Sequence, residues 1–102
     1  MGFPYNRKMN DSFEWDEQKA ASNLLKHGVS FQEAVDAFDD PDALEVPDTR
    51  ADYGEARIIL TGRTSEGVLV VVYTERGLKT RIISARKAGR NERNTYYRQK
   101  AQ

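Results

Sequence analysis

RIILTGRTSEGVLVVVYTERGLKTRIISAR, residues 57–86, decides the fold. It holds three β-branched runs: Arg57 to Arg63, Val68 to Arg76 and Thr80 to Arg86. Thr64-Ser65-Glu66-Gly67 reads as a turn between the first two, and Gly77 opens another tight turn. Connections this short join antiparallel neighbours, so the runs predict a meander. VLVVVYTER is the most apolar of the three and is expected at the centre of the sheet.

Upstream, Phe13-Glu14-Trp15 alternates apolar and polar residues, as a short strand does. Asp16 is a good helix N-cap, Glu17 favours the dipole behind it, and Gly28 suits the left-handed closing position. A helix over 16–27 follows, with Ala20, Ala21, Leu24 and Leu25 sharing one face. Trp15 reads as a core residue. Ser30 and Glu33 have capping-box spacing, and Phe31, Ala34, Val35 and Phe38 form the buried stripe of a second helix. Pro41 marks its end. Leu44-Glu45-Val46 reads as a short strand stopped by Pro47, and Asp48 to Glu55 as a polar loop. A last helix begins near Gly89, whose use as N-cap puts Glu92 at the capping-box position. The predicted order is β-α-α-β-β-β-β-α, an α+β layer of helices on a curved antiparallel sheet. A flexible leader over 1–12 precedes a single domain over 13–102.

Charge divides the chain. Residues 1–50 carry five Lys/Arg against eleven Asp/Glu, a net of −6, and residues 51–102 carry eleven against five, a net of +6. Nine of the basic residues lie between Arg76 and Lys100, against Glu92 alone. A basic strand-to-helix corner of this kind attracts phosphates or acidic protein segments. With no Cys, disulfides and thiolate metal sites are excluded, and one His rules out a multi-histidine site within the chain. Asp36, Asp39, Asp40 and Asp42 gather at a helix end without a ligand-loop pattern, so they read as solvated carboxylates. No metal or cofactor is expected. No apolar run reaches the roughly 20 residues of a membrane helix, and the N-terminus lacks a secretory core. A soluble cytoplasmic protein is the expectation.

Arg63, Arg76 and Arg86 end the three meander strands. The planar guanidinium fork suits phosphate, but strand-end arginines are equally read as solvated. Antiparallel order puts Arg63 and Arg86 at one end of the sheet and Arg76 at the other, unless stagger or curvature brings them together. Lys79, Arg81, Lys87, Arg90 and Arg93 widen the basic tract. With Tyr73, Tyr96 and Tyr97 nearby, it has the character of a single-stranded RNA surface, although the tyrosines also suit docking of the last helix. His27, the one imidazole of the chain, is a natural proton shuttle by residue type; beside Lys26 in a last helical turn, it equally serves the helix dipole.

The segments FEWDEQKAASNLLKHGVSFQEAVDAF (13–38), GRTSEGVLVVVYTERG (62–77) and RIISARKAGRNERNTY (81–96) resemble the BrnT family of type II toxins. The family's K-H-G falls on Lys26-His27-Gly28, its Y-T-x-R on Tyr73 to Arg76 and its I-S-A-R on Ile83 to Arg86. Its E-R-x-x-Y falls on Glu92 to Tyr96, and Gly89 stands where the family often has Ser or Thr. The resemblance implies a RelE-like fold and a bacterial ribonuclease toxin that inhibits translation. It also implies a BrnA-like antitoxin partner, a heterotetramer with it among the forms expected, and contact with operator DNA through the antitoxin alone. On this expectation RNA is cleaved endonucleolytically without metal. Arg63, Arg76 and Arg86 steady the phosphoryl charge, His27 or Tyr96 moves protons, and Lys26, Lys79, Arg81, Lys87, Arg90 and Arg93 hold the strand. The competing expectation is a non-catalytic basic module that binds RNA or an acidic protein.

Overall fold

The computed structural model describes residues 12–102; the leader expected over 1–12 thus lies, except for Ser12, outside the described residues. The elements follow the predicted order: β1 (Phe13–Glu14), α1 (Glu17–His27), α2 (Phe31–Ala37), β2 (Leu44–Pro47), β3 (Ile58–Thr64), β4 (Gly67–Arg76), β5 (Lys79–Lys87) and α3 (Arg90–Lys100). They form one five-stranded sheet in the order β1-β5-β4-β3-β2, with apolar β4 at its centre. β2 to β5 are antiparallel, but β1 pairs parallel to β5, with Phe13 opposite Thr80 and Glu14 opposite Arg81. The sheet is therefore mixed rather than purely antiparallel. Only two residues carry the parallel pairing, too few to leave a periodic signal in the sequence.

Local chemistry sets the helix ends. The Asp16 carboxylate accepts from the Gln18 and Lys19 amides and starts α1. Gly28 ends it at φ 70°, a left-handed conformation glycine adopts without a Cβ penalty, and returns its N–H to Leu24 O at 2.8 Å. Ser30 and Glu33 close a reciprocal capping box on α2.

Residues directly opposed in antiparallel strands share a face, and successive residues alternate. The back face, with Leu60, Leu69, Val71, Tyr73, Ile82 and Ala85, packs against α1 and α2 through Val29, Phe31, Ala34 and Val35. Trp15 lies partly buried against this core, edge-on to Phe31 with ring centroids 5.9 Å apart. At Gly62 the sheet and α2 touch closely, since a Cβ there would stand 2.7 Å from Ala37 O.

The apolar pattern of α1 misled in one respect. Leu25 is almost wholly exposed, Leu24 is half-exposed, and the buried residue of the helix is Asn23. β1 covers only the start of β5, so the backbone of Ala85 lacks a strand partner on that edge. The Asn23 side chain replaces one, accepting from Ala85 N–H at 3.1 Å and donating to Ala85 O at 2.7 Å and Val29 O at 3.0 Å. Satisfying a buried backbone edge outweighs burying a leucine.

The front face is covered by α3. Fully buried Tyr96 packs on Val68, Val70 and Ala88, with Leu44 and Ile59 at the margin. A single ring carries most of that contact, so α3 depends heavily on its polar anchors.

Candidate functional site

The register puts Arg63, Arg86, Arg76 and Arg81 on the front face, through their pairing with Val68, Val70, Lys79 and Thr74. They do not form one cluster. Arg76 lies six residues along β4 from Val70, the partner of Arg86, a separation of roughly 20 Å at 3.3 Å per residue. The antiparallel order thus holds against convergence.

Arg63 and Arg86 lie toward the same end of the sheet, but α3 lies between them. Arg86 reaches the first turn of that helix, donating to both Glu92 oxygens at 2.8 and 2.7 Å. Arg63 belongs with the other end, where it shares a concavity with Asp36, Asp39, Asp40, Asp42 and Lys100. Its backbone N–H donates to Asp40 Oδ2 at 2.7 Å. Surrounding carboxylates make that corner poor for a phosphate.

Glu92 has two functions. It accepts from Gly89 N–H at 2.7 Å, the capping-box contact expected of it, while gripping Arg86. The guanidinium is the main cause that holds the Glu92 carboxyl down to about 2, and the carboxylate in turn raises Arg86. A bidentate pair fixes the plane of the fork. Arg86 is still partly exposed and retains donors that Glu92 does not use.

Tyr96 is fully buried, and its hydroxyl donates to Asp40 Oδ2 at 2.5 Å. Burial, then the carboxylate, pushes its ionisation well above the usual phenol range. A phenol so enclosed ties α3 to the turn after α2. That enclosure and the bond to Asp40 give Tyr96 a structural role in anchoring α3.

His27 is exposed in the last turn of α1, one helical turn (about 6 Å) beyond Asn23. The Asn23–Ala85 hydrogen bonds tie α1 to the outer edge of β5 at the residue before Arg86. Lys79, Lys87 and Arg90 are exposed and make no ion pair among the described residues. Arg81 is paired with Glu14 at 3.3 Å, and Arg93 donates to Ala88 O at 2.8 Å.

The segment Asp48 to Glu55, expected as a polar loop, runs with Ala56 and Arg57 against the front face. Thr74 Oγ1 donates to Ala56 O at 2.7 Å, and Glu55 bridges Arg57 at 3.0 Å and Arg76 at 3.2 Å. Arg57 also covers the Tyr53 ring at 4.3 Å. Arg50 donates through Nε and Nη2 to the two oxygens of buried Asp48, at 2.8 and 2.7 Å. Its hydrogen bonds depress the Asp48 carboxyl strongly. The available signal was the alternation of acids and arginines in DTRADYGEAR, 48–57.

Among the described residues, no group of three or more His, Asp or Glu side chains is arranged to hold a metal ion, and no helix is long and apolar enough to cross a membrane. A comparison with curated proteins found no match. The family model described as ribonuclease toxin, BrnT, of type II toxin-antitoxin system matches residues 15–92. That span takes in Lys26, His27, Arg63, Arg76, Arg86 and the loop bearing Arg50, and it leaves out Arg93 and Tyr96. With more than half of its length matched, the chain belongs to the BrnT family of ribonuclease toxins of type II toxin–antitoxin systems.

Proposed function

We propose that this protein is a metal-independent endoribonuclease whose chemistry takes place beside Arg86. The observation carrying this reading is Arg86 itself. It is a guanidinium fixed in plane by Glu92 at the end of a strand, partly open to solvent and inside the span matched by a ribonuclease family. In the proposed reaction, a ribose 2′-oxygen attacks the adjacent phosphorus and gives up its proton. The bond to the 5′-oxygen breaks and that oxygen takes a proton, leaving a 2′,3′-cyclic phosphate and a 5′-hydroxyl. Arg86 stabilises the negative charge that builds on the phosphoryl oxygens. His27, at the end of the helix that Asn23 ties to β5, moves the protons. Lys26, Lys79, Arg81, Lys87 and Arg90 hold the strand, and Arg76 contacts it roughly 20 Å away rather than at the same phosphate. We take the α+β layer to be of the RelE type.

Membership of a type II family implies an antitoxin. We propose a BrnA-like one that covers the basic corner with an acidic or helical segment, so association should slow as salt rises. A salt-independent on-rate would count against it.

The test of the catalytic reading is cleavage of naked RNA by purified protein with EDTA present, with the product ends identified. Persistent cleavage that yields 2′,3′-cyclic phosphates is the expected result. Loss of cleavage in EDTA and its recovery with Mg²⁺ would overturn the mechanism.

A further inference from the structure

Besides the strand-end Arg86 and Arg76, the front face carries the guanidinium groups of Arg50 and Arg57. Starting from Arg86, the next is Arg50, on the loop that follows β2. After it come Arg57, stacked on Tyr53, and Arg76, joined to Arg57 through Glu55. The loop is fastened to this face by Asp48 N–H to Arg57 O at 2.8 Å, Thr74 Oγ1 to Ala56 O at 2.7 Å and Glu55 to Arg76 at 3.2 Å, and the positive charge of Arg50 is felt at Arg86. The loop therefore lies on the face that carries both Arg86 and Arg76, which stand roughly 20 Å apart.

Within this series Arg50 stands out for how it is held. Its Asp48 partner is 1% exposed, whereas Arg50 itself is 65% exposed. Asp48 occupies one side of the fork through Nε and Nη2. The Nη1 group takes no part in that contact, and Tyr53 lies beside the pair. A buried carboxylate on one side and solvent on the other presents a rigid charge whose entropy of ordering is already met.

Resting on the reading of this face as the RNA site, we propose that Arg50 is a second phosphate contact beside Arg86, and that loop 48–57 forms the middle of a track for single-stranded RNA from Arg86 to Arg76. Arg86 takes the phosphate undergoing reaction. Arg50 takes a neighbouring one and fixes the register of the strand.

The experiment measures binding of a 2′-O-methyl RNA oligonucleotide, which keeps the phosphates but lacks the attacking hydroxyl, across a series of salt concentrations. The variant is Asp48→Asn with Arg50→Gln, which removes both charges and leaves no buried carboxylate unpaired. Each phosphate contact on a single strand contributes about 0.7 to the slope of log K against log salt, so the variant should be shallower by about that amount. An unchanged slope with an intact fold overturns the inference. Should the double variant unfold, Arg50→Lys carries the test: slope retained, affinity lowered by loss of the fork, with equal affinity overturning it. If the wild type binds this RNA yet fails to cleave unmodified RNA, the catalytic reading falls and the track stands. Binding of polyglutamate but not RNA overturns the track in favour of an acidic protein partner.

Discussion

The Tyr96 hydroxyl donates to Asp40 Oδ2 at 2.5 Å across 56 residues of sequence, fastening the last helix to the turn behind α2. Asp40 also accepts from the Arg63 and Asp42 amides. These three donors hold its carboxyl below the usual range even though burial, the largest single influence, works the other way. Tyr96→Phe keeps the ring and removes one charge-assisted hydrogen bond, which should cost about 1.5–3 kcal/mol. Urea unfolding measures the loss, while cleavage per folded molecule should match wild type. A stable variant with a collapsed cleavage rate would return Tyr96 to the chemistry.

Asn23→Ala removes all three hydrogen bonds between α1, Val29 and the edge of β5. Leaving buried backbone groups unpaired costs about 1–3 kcal/mol. Asn23→Asp should be worse, since it turns a donor amide into an acceptor that faces two carbonyl oxygens. Denaturant midpoints of both variants check the order; Asp at or above Ala in stability would refute it.

At Gly62 an alanine methyl would stand 2.7 Å from the Ala37 carbonyl oxygen, well inside contact distance. The obstacle is backbone, so α2 must move off the sheet. Gly62→Ala should therefore destabilise by about 1–3 kcal/mol, the usual range for overpacking. A thermal melt equal to wild type would mean that α2 yields freely.

Arg86 and Glu92 carry an acid-stability prediction. The Glu92 carboxyl titrates at about 2 when folded against a reference of 4.5. As pH falls below the higher value, the unfolded chain takes up the proton first, so stability from this pair is full above about 4.5 and is lost toward 2. Both side chains are well exposed, which limits the pair to about 1 kcal/mol. Glu92→Gln should flatten the stability curve between about pH 5 and about pH 2. An unaltered acid limb would show that the pair adds nothing. Arg86→Ala should lower cleavage about 10²–10³-fold, and Arg86→Lys should also impair it because the fork is lost. Cleavage at the wild-type rate by a folded Arg86→Ala protein would remove the residue from the site.

The meander, its central strand and the helix caps were legible because each has a local cause: β-branched runs parted by glycine turns, and Asp16, Gly28, Ser30 and Glu33 at helix ends. The parallel pairing of β1 with β5 was not, because its partners are 67 residues apart and no periodicity records them. Candidate cations were visible as residue types, but their partners were not. That Arg86 takes Glu92 and Arg50 takes Asp48 depends on where a loop and a helix settle in space. Asn23 was hidden for a related reason: within an amphipathic helix, an amide that pairs with a distant strand edge resembles a solvent-facing residue.

The edge position of β5's first-formed neighbour has a consequence for synthesis on the ribosome. Phe13 and Glu14 emerge early, yet their partners Thr80 and Arg81 and the Ala85 backbone that Asn23 grips are among the last quarter of the chain. Until those residues leave the exit tunnel, the N-terminal strand and α1 have no sheet edge to join. Contacts of such long sequence separation form only after their loops close. A partly made chain therefore cannot fasten α1 to the strand that carries Arg86, and the proposed ribonuclease stays unassembled while its own message is still being translated.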